Sequence, residues 1–177
     1  PADQSHLWID YNRALYRLMD RFAKGFPNVM AMLCAGGSGR VDYGAMPYFH
    51  SFWPSDNTDP LGRIKIQWGF SHFFPANTIS AHVTRMGKRH LKMAIDVALS
   101  GAFGIDLALD KATAEERAQI ADAVKLYKER IRPLVMHGEL YRLVSPYESP
   151  LASLSYVSTD KQKAVVYFYQ TKDGNEP

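Results

Sequence analysis

Two carboxylates lie close together in residues 53–59, which read WPSDNTD and follow a short apolar run. Glycoside hydrolysis uses one carboxyl group to protonate the leaving oxygen and a second carboxylate to attack the sugar carbon or activate water. A carboxyl group at the end of a buried strand and beside Trp53 suits the first role, so Asp56 is a candidate catalytic acid. The alternative is a turn in which Ser55, Asp56 or Asn57 caps the next helix.

A second candidate site is the glycine-rich stretch 34–40, which reads CAGGSGR. It fails as a nucleotide phosphate loop because no Lys followed by Ser or Thr ends it. Cys34 and Arg40 have the spacing of a phosphatase loop, in which a thiolate attacks phosphorus and backbone N–H groups with an Arg hold the anion. The residue before the Cys is Leu33 rather than the usual His. A glycine turn beside a small buried Cys is the structural alternative.

Other polar residues point less clearly to chemistry. Asp10 falls within a helical pattern, away from the apolar face, so we interpret it as a solvated helix residue. His82 follows a predicted strand and loop and could line a pocket, although a lone His is more often structural. No pair of His, Cys, Asp or Glu has metal-ligand spacing that supports a metal site.

The elements that would position these residues alternate in the first part of the chain. Apolar residues at spacings of three and four (Leu7, Tyr11, Leu15, Leu18 and Phe22) predict a helix over 5–24, with Ser5 as its cap. Apolar runs at 29–34, 49–53 and 104–109 predict buried strands of a parallel sheet. A further apolar run covers 70–74 and stops at Pro75. Helices are predicted around 63–67 and 89–99, and a capping box predicts another from Thr113 to Pro133.

The pattern changes after Gly138. Segments 141–144, 154–157 and 164–169 read as antiparallel strands, with a hairpin turn at 159–162. The alternation before this point has the rhythm of a (β/α)8 barrel. A complete barrel typically needs about 250 residues. The prediction is therefore an α/β chain, with a partial barrel over 1–137 followed by an antiparallel β segment over 138–177.

Composition excludes several classes of protein. The 177 residues are 46% hydrophobic, and the net charge is only +3 with scattered Lys and Arg, so we expect a packed core and no nucleic-acid partner. No stretch is long and apolar enough for a membrane span. The single Cys forbids an internal disulfide. The first residues do not read as a signal peptide. We therefore favour a cytoplasmic location, and a secreted or periplasmic one if a longer parent chain carries a signal peptide.

Taken together, the motifs resemble glycoside hydrolase family 36. The strongest match is CAGGSGRVD at 34–42 followed by Asp56, which comes 22 positions after the Cys. Ser38 stands where the family usually has Gly. Supporting segments occur in the family's order along nearly the whole chain: RIKIQWG at 63–69, SAHV at 80–83, GAFG at 101–104 and GELYRL at 138–143.

The resemblance implies a retaining α-galactosidase of the melibiose and raffinose type, acting on α-galactoside oligosaccharides without a cofactor or metal. It also implies that residues 1–137 are the C-terminal part of a (β/α)8 TIM barrel and that residues 138–177 begin an antiparallel β-sandwich domain. Asp56 matches the family's acid/base, and Cys34 the Cys that contacts galactose. The backbone of Gly36 and Gly37 would border the sugar hydroxyls, with Arg40 completing the motif and Trp53 flanking the pocket.

The resemblance also predicts what this chain lacks. The family's nucleophile lies in a Lys-x-Asp-x-Asn motif at the end of an earlier strand. The stretch around Asp10 lacks the Lys and lies in a predicted helix, so we expect the nucleophile upstream of residue 1. The resemblance further suggests that the complete enzyme is a homo-oligomer. A fragment that binds galactose or supports assembly without catalysis is the alternative.

Overall fold

The fold was analysed in a computed structural model that describes residues 4–172. Its helices are α1 Leu7–Gly25, α2 Pro60–Phe70, α3 Leu91–Ala98, α4 Ala114–Leu126 and α5 Arg132–His137, with a π-helical turn Tyr127–Ile131 joining the last two. Its strands are β1 Met32–Leu33, β2 Ser51–Phe52, β3 Ser80–Val83, β4 Ala102–Ile105, β5 Glu139–Val144, β6 Leu151–Val157 and β7 Ala164–Gln170.

The first four strands run parallel. β1 pairs with β2, and β3 pairs with β4 in a register that sets His82 opposite Gly104. A single parallel bridge between Phe52 and Ile79 links the two pairs, so the spatial order follows the chain. Helix α2 connects β2 to β3, and α3 connects β3 to β4. This β-α-β-α alternation confirms the predicted α/β class and brings the carboxyl ends of all four strands to one edge.

The last three strands form an antiparallel sheet in the order β5-β6-β7. The predicted hairpin turn is confirmed, because β6 ends at Val157 and β7 begins at Ala164. Three tyrosine hydroxyls of this sheet donate hydrogen bonds to carbonyl oxygens at the end of α3: Tyr156 to Ser100, Tyr167 to Leu99 and Tyr169 to Asp96. These bonds satisfy carbonyls that the end of a helix leaves without intrahelical partners.

Two apolar clusters hold the parallel strands. The larger one joins β3, α3, α4 and the antiparallel sheet, and it includes Val83, Ile95, Tyr127 and Tyr156. The smaller one surrounds Phe52, which is fully buried and contacts the rings of Phe70 and Phe74. The sheet and the helices therefore share one continuous core across Gly138. The division into domains at 137/138 stays a prediction.

Helix α1 forms where it was predicted, but the face that packs against the protein differs from the predicted one. Its first-turn neighbour His6, not Ser5, is the N-cap residue and makes no side-chain capping bond. Met19 is the buried residue of the helix, with Leu15 and Tyr16 partly buried beside it. The predicted core positions Leu7, Tyr11, Leu18 and Phe22 are exposed instead. The prediction was wrong about the face because periodicity shows that a helix is amphipathic, not which side has a neighbour.

Strand boundaries also differ from the sequence prediction. The runs 29–34 and 49–53 contribute only two paired residues each, and β4 begins two residues before the predicted 104. The apolar run 70–74 is the end of α2 and a turn, and the third strand is Ser80–Val83. His82 consequently lies within a strand rather than after one. Phe70 and Phe74 are apolar because they pack on Phe52, which a run of hydrophobic residues cannot distinguish from strand burial.

Segment 114–126 shows how a local signal can define an element. Thr113 Oγ1 accepts a hydrogen bond from the Glu116 backbone N–H at 3.1 Å, and Glu116 accepts one from the Thr113 N–H at 2.9 Å. This reciprocal pair is the predicted capping box. Glu116 also binds Arg85, and these hydrogen bonds lower the pKa of Glu116 to about 2.

None of the helices described between residues 4 and 172 is both long enough and apolar enough to cross a membrane.

We expect Thr113→Ala to loosen the start of α4 by about 1 kcal/mol, because the Glu116 N–H loses its acceptor. Hydrogen–deuterium exchange should become faster at residues 114–117 and stay unchanged in β6. Thr159→Ala is the matched control, since Thr159 lies in the exposed hairpin turn and makes no side-chain hydrogen bond in the described structure. Equal exchange in the two variants would contradict a stabilising role for the capping box.

Candidate active site

A cavity of about 370 Å³ opens at the carboxyl edge of the parallel sheet. It is lined by Met32, Cys34, Trp53, His82, Ile105 and Asp106. Cys34, Trp53 and Asp106 each come directly after a strand (β1, β2 and β4), while His82 lies within β3. A larger cavity of about 790 Å³ lies elsewhere, and one of about 600 Å³ adjoins this cavity and shares Met32, His82 and Ile105 with it. Neither larger cavity is lined by Cys34 or Trp53. The 370 Å³ cavity is therefore the one of the three that two of the predicted site residues, Cys34 and Trp53, line.

The glycine loop after β1 packs directly against the loop after β2. Gly36 and Gly37 both have positive φ angles, of 57° and 84°. A Cβ added to Gly37 would lie 2.9 Å from the Ser55 Cα, whereas one added to Gly36 would meet nothing within 4 Å. Gly37 is thus a point of close backbone approach, and this approach places the Cys34 loop beside Asp56.

Asp56 takes no part in capping α2. Asp59 is the N-cap residue, and its side chain accepts a hydrogen bond from the Gly62 N–H. Ser55 and Asn57 accept bonds from backbone N–H groups within the loop itself. The helix-capping alternative for Asp56 is therefore wrong. Its exposed carboxyl group accepts one hydrogen bond, from the Trp53 Nε1–H at 3.0 Å.

Arg63 of α2 holds the loop after β2 in place through hydrogen bonds. The side chain is only 2% exposed, and its guanidinium donates hydrogen bonds to the Ser55 carbonyl at 3.2 Å and to the Ser80 carbonyl. It also donates to Gln67 Oε1 at 3.3 Å. Burial lowers the pKa of Arg63 to about 10, which leaves it charged at neutral pH. The guanidinium carbon is 5.1 Å from the centre of the Trp53 ring, within cation–π distance.

His82 also contacts the Trp53 ring. Its ring centre is 4.7 Å from that of Trp53. Burial lowers the pKa of His82, opposed by the negative charge of Asp106 and aided by Arg63. The imidazole is therefore neutral at pH 7. Gly104 leaves room for the ring, since a Cβ there would come within 2.4 Å of the His82 side chain.

The structure gathers most of the predicted residues but not all of them. Cys34, Gly37, Trp53 and Asp56 meet at or beside the cavity, and Gly36 belongs to the same loop. Arg40 is exposed and does not line the cavity that Cys34 lines, so its substrate-binding role stays a prediction. Over residues 4–172, no cluster of three or more His, Cys, Asp or Glu side chains could hold a metal ion.

Two residues of the site were missed from the sequence. Asp106 was placed inside a strand predicted to continue to 109, although an acidic residue in an apolar run could have marked its end. Arg63 was noted only as part of a helix. Nothing in the sequence indicates that its side chain is buried, because charged residues are seldom buried without a partner.

A model of the Melibiase family matches residues 2–138. The chain belongs to this family of glycoside hydrolases. It is similar to the α-galactosidase AgaA of Geobacillus stearothermophilus, with 38% identity over the whole chain and 25% of that protein. It is also similar to α-galactosidase 2 of Hypocrea jecorina, with 33% identity over 92% of the chain and 22% of the relative. The chain thus spans about a quarter of the length of these relatives.

The fold of this chain is also similar to solved structures of α-galactosidases. The AgaA crystal structure matches with a TM-score of 0.85 over 92% of this chain and 24% of its own. The galactosidase domain of the α-galactosidase-sucrose kinase AgaSK matches with a TM-score of 0.89 and 31% identity over 97% of this chain and 25% of its own. Variants of AgaA have been crystallised in complex with stachyose and with raffinose. These structural neighbours are family 36 α-galactosidases, which are TIM-barrel enzymes.

We expect Gly37→Ala to disrupt the site, because the new Cβ would press on the Ser55 backbone and a positive φ disfavours Ala. The predicted cost is about 2–4 kcal/mol in the free energy of unfolding. Gly36→Ala also places Ala at positive φ, but in open space, and should cost about 1 kcal/mol. Urea unfolding and exchange at the Asp56 amide measure both effects. Equal losses in the two variants would contradict the role of close approach.

Proposed function

We propose that this chain forms the acid/base part of a retaining α-galactosidase that releases terminal α-linked galactose from oligosaccharides of the melibiose and raffinose type. The observation that carries this proposal is the Asp56 carboxyl group: it is exposed beside the cavity, free of a capping role, and within the loop that matches the family's acid/base motif. The stachyose and raffinose complexes of AgaA support this substrate class.

The proposed reaction has two displacements. In the first, a carboxylate outside this chain attacks the anomeric carbon while the bond to the glycosidic oxygen breaks. Asp56 gives its proton to that oxygen as the rest of the oligosaccharide leaves. In the second, the Asp56 carboxylate takes a proton from water, the water oxygen attacks the anomeric carbon, and the nucleophile is released. The two carboxyl groups should lie about 5–5.5 Å apart, as in other retaining enzymes.

Other residues of the site would bind rather than react. Cys34 and the backbone of Gly36 and Gly37 would border the galactose hydroxyls, with Arg40 at the far end of the same loop. Trp53 lines the cavity, and aromatic surfaces pack well against the C–H groups of sugars. A Cys-x5-Arg phosphatase would need Arg40 beside the Cys34 thiolate to hold the phosphate. Arg40 does not line the cavity that Cys34 lines, so we favour the galactosidase interpretation.

We further propose that the parallel sheet is the C-terminal part of a (β/α)8 barrel whose other strands supply the nucleophile. Two features support this proposal. β1 and β4 each pair with one strand, so both have an outer edge that a closed barrel would pair. The exposed apolar face of α1, with Leu7, Trp8, Leu18 and Phe22, suits contact with further protein. The β5–β7 sheet would begin a β-sandwich domain, and the complete enzyme would be a homo-oligomer.

The acid/base role can be tested in the complete polypeptide that carries this chain. Asp56→Gly should lower kcat/KM for raffinose by about 10²–10⁴-fold, because an unactivated leaving group needs protonation. An activated aryl α-galactoside should still form the galactosyl-enzyme. Azide should then restore turnover and yield α-galactosyl azide, since azide attacks from the face that water uses.

Asp59→Ala is the matched control, because it removes a carboxylate from the same loop but one that caps α2. It should cost about 1 kcal/mol of stability and show no azide rescue. A β-galactosyl azide product from Asp56→Gly would make Asp56 the nucleophile instead. Wild-type activity on raffinose in that variant would reduce Asp56 to a turn residue.

A galactose-binding fragment without catalysis is the second candidate. It is favoured by the chain's span, about a quarter of the length of its relatives, together with a formed cavity that contains Cys34 and Trp53. If it is correct, the 177-residue chain alone should bind galactose in calorimetry without hydrolysing an aryl α-galactoside. Cys34→Leu should abolish the binding, and Met86→Leu should leave it unchanged. Turnover by the chain alone would refute this candidate.

A further inference from the structure

The indole N–H of Trp53 engages one particular oxygen of Asp56. It donates to Oδ1 at 3.0 Å, which is the only hydrogen bond of the Asp56 side chain within residues 4–172. Oδ2 is left free. A carboxyl oxygen that carries a proton is a poor hydrogen-bond acceptor, so a donor directed at Oδ1 favours the proton on Oδ2. The indole thereby selects the oxygen from which a proton can leave.

The direction of that N–H is set by other elements of the fold. The Trp53 ring lies between contacts with Arg63 of α2, at 5.1 Å, and His82 of β3, at 4.7 Å. Arg63 is itself held by the carbonyls of Ser55 and Ser80. His82 has room because Gly104 lies opposite it. The ring is therefore oriented by tertiary contacts from two neighbouring elements and not by the loop alone.

We propose that Trp53 is the positioning residue of Asp56: its indole N–H holds Oδ1 and presents Oδ2, with its proton, to the glycosidic oxygen. This inference rests on the proposed acid/base role of Asp56. It differs from a purely sugar-stacking role for Trp53, which would affect how tightly galactose binds. A positioning role affects proton delivery, and so its importance grows as the leaving group becomes more basic.

The test compares leaving groups in the complete polypeptide. Trp53→Phe keeps an aromatic ring and removes the N–H. We expect kcat/KM for raffinose to fall about tenfold or more, and kcat/KM for 2,4-dinitrophenyl α-galactoside, which needs no protonation, to change by less than about twofold. The inhibition constant of free galactose should stay within about twofold, since the ring surface remains.

Two further variants separate the hydrogen bond from ring size and folding. Incorporation of 3-benzothienylalanine at position 53 replaces the N–H with sulfur in a ring of the same shape, and it should reproduce the leaving-group effect. Trp8→Phe removes an indole N–H from α1, at a residue that does not line the cavity, and should leave kcat/KM for both substrates unchanged. Equal losses on both substrates, or a loss carried entirely by weaker galactose binding, would overturn the proposal.

Asp56→Asn distinguishes failure of this inference from failure of the proposed function. If Asp56→Asn keeps its activity on raffinose, Asp56 is not the acid/base and the positioning role falls with it. If Asp56→Asn loses activity while Trp53→Phe shows no leaving-group dependence, the acid/base role stands and only the positioning role is refuted. In the Asp56→Asn background, Trp53→Phe should cause no further loss on raffinose.

Discussion

The buried guanidinium of Arg63 is the contact on which the geometry of the site depends. A charge removed from water must be compensated by hydrogen bonds, and here the acceptors are backbone carbonyls from two separate segments together with the Gln67 side-chain amide oxygen. Satisfying this one group therefore fixes the loop after β2 relative to β3. Because these acceptors are uncharged, neither Asp56 nor Asp59 is needed to form an ion pair with Arg63. Asp56 remains available for chemistry, and Asp59 for capping α2.

The second constraint is the absence of a side chain at Gly37. Neighbouring parallel strands bring their carboxyl ends together, and a Cβ on a following loop limits how closely the two loop backbones can approach. Gly37 lets the two backbones approach, so the Cys34 loop and the Asp56 loop pack directly against each other beside the cavity. The fold thus combines a buried cation that orders one loop with a glycine that brings the next loop against it.

The antiparallel sheet supports this arrangement from a distance. Its tyrosine hydroxyls bond to the carbonyls that end α3, and α3 leads into β4 and hence to Asp106. Gln67 of α2 also reaches the end of α3 through the Val97 carbonyl and Ser100. The end of α3 is consequently shared by the sheet, by α2 and by β4. This shared contact explains why the core is continuous across the predicted boundary at Gly138.

The sequence by itself determined the elements that depend on neighbouring residues: the helix opened by Thr113 and Glu116, the hairpin between β6 and β7, the alternation of strands and helices, and the spacing from Cys34 to Asp56. Only the tertiary structure decided which face of α1 is buried and that the third strand lies at 80–83. It also decided that Arg63 and His82 contact the Trp53 ring and that Asp106 lines the same cavity. Capping bonds and turns form within a few residues and leave a local pattern. Pairing partners and the burial of a charge depend on segments far apart in the chain, and so they leave no such pattern.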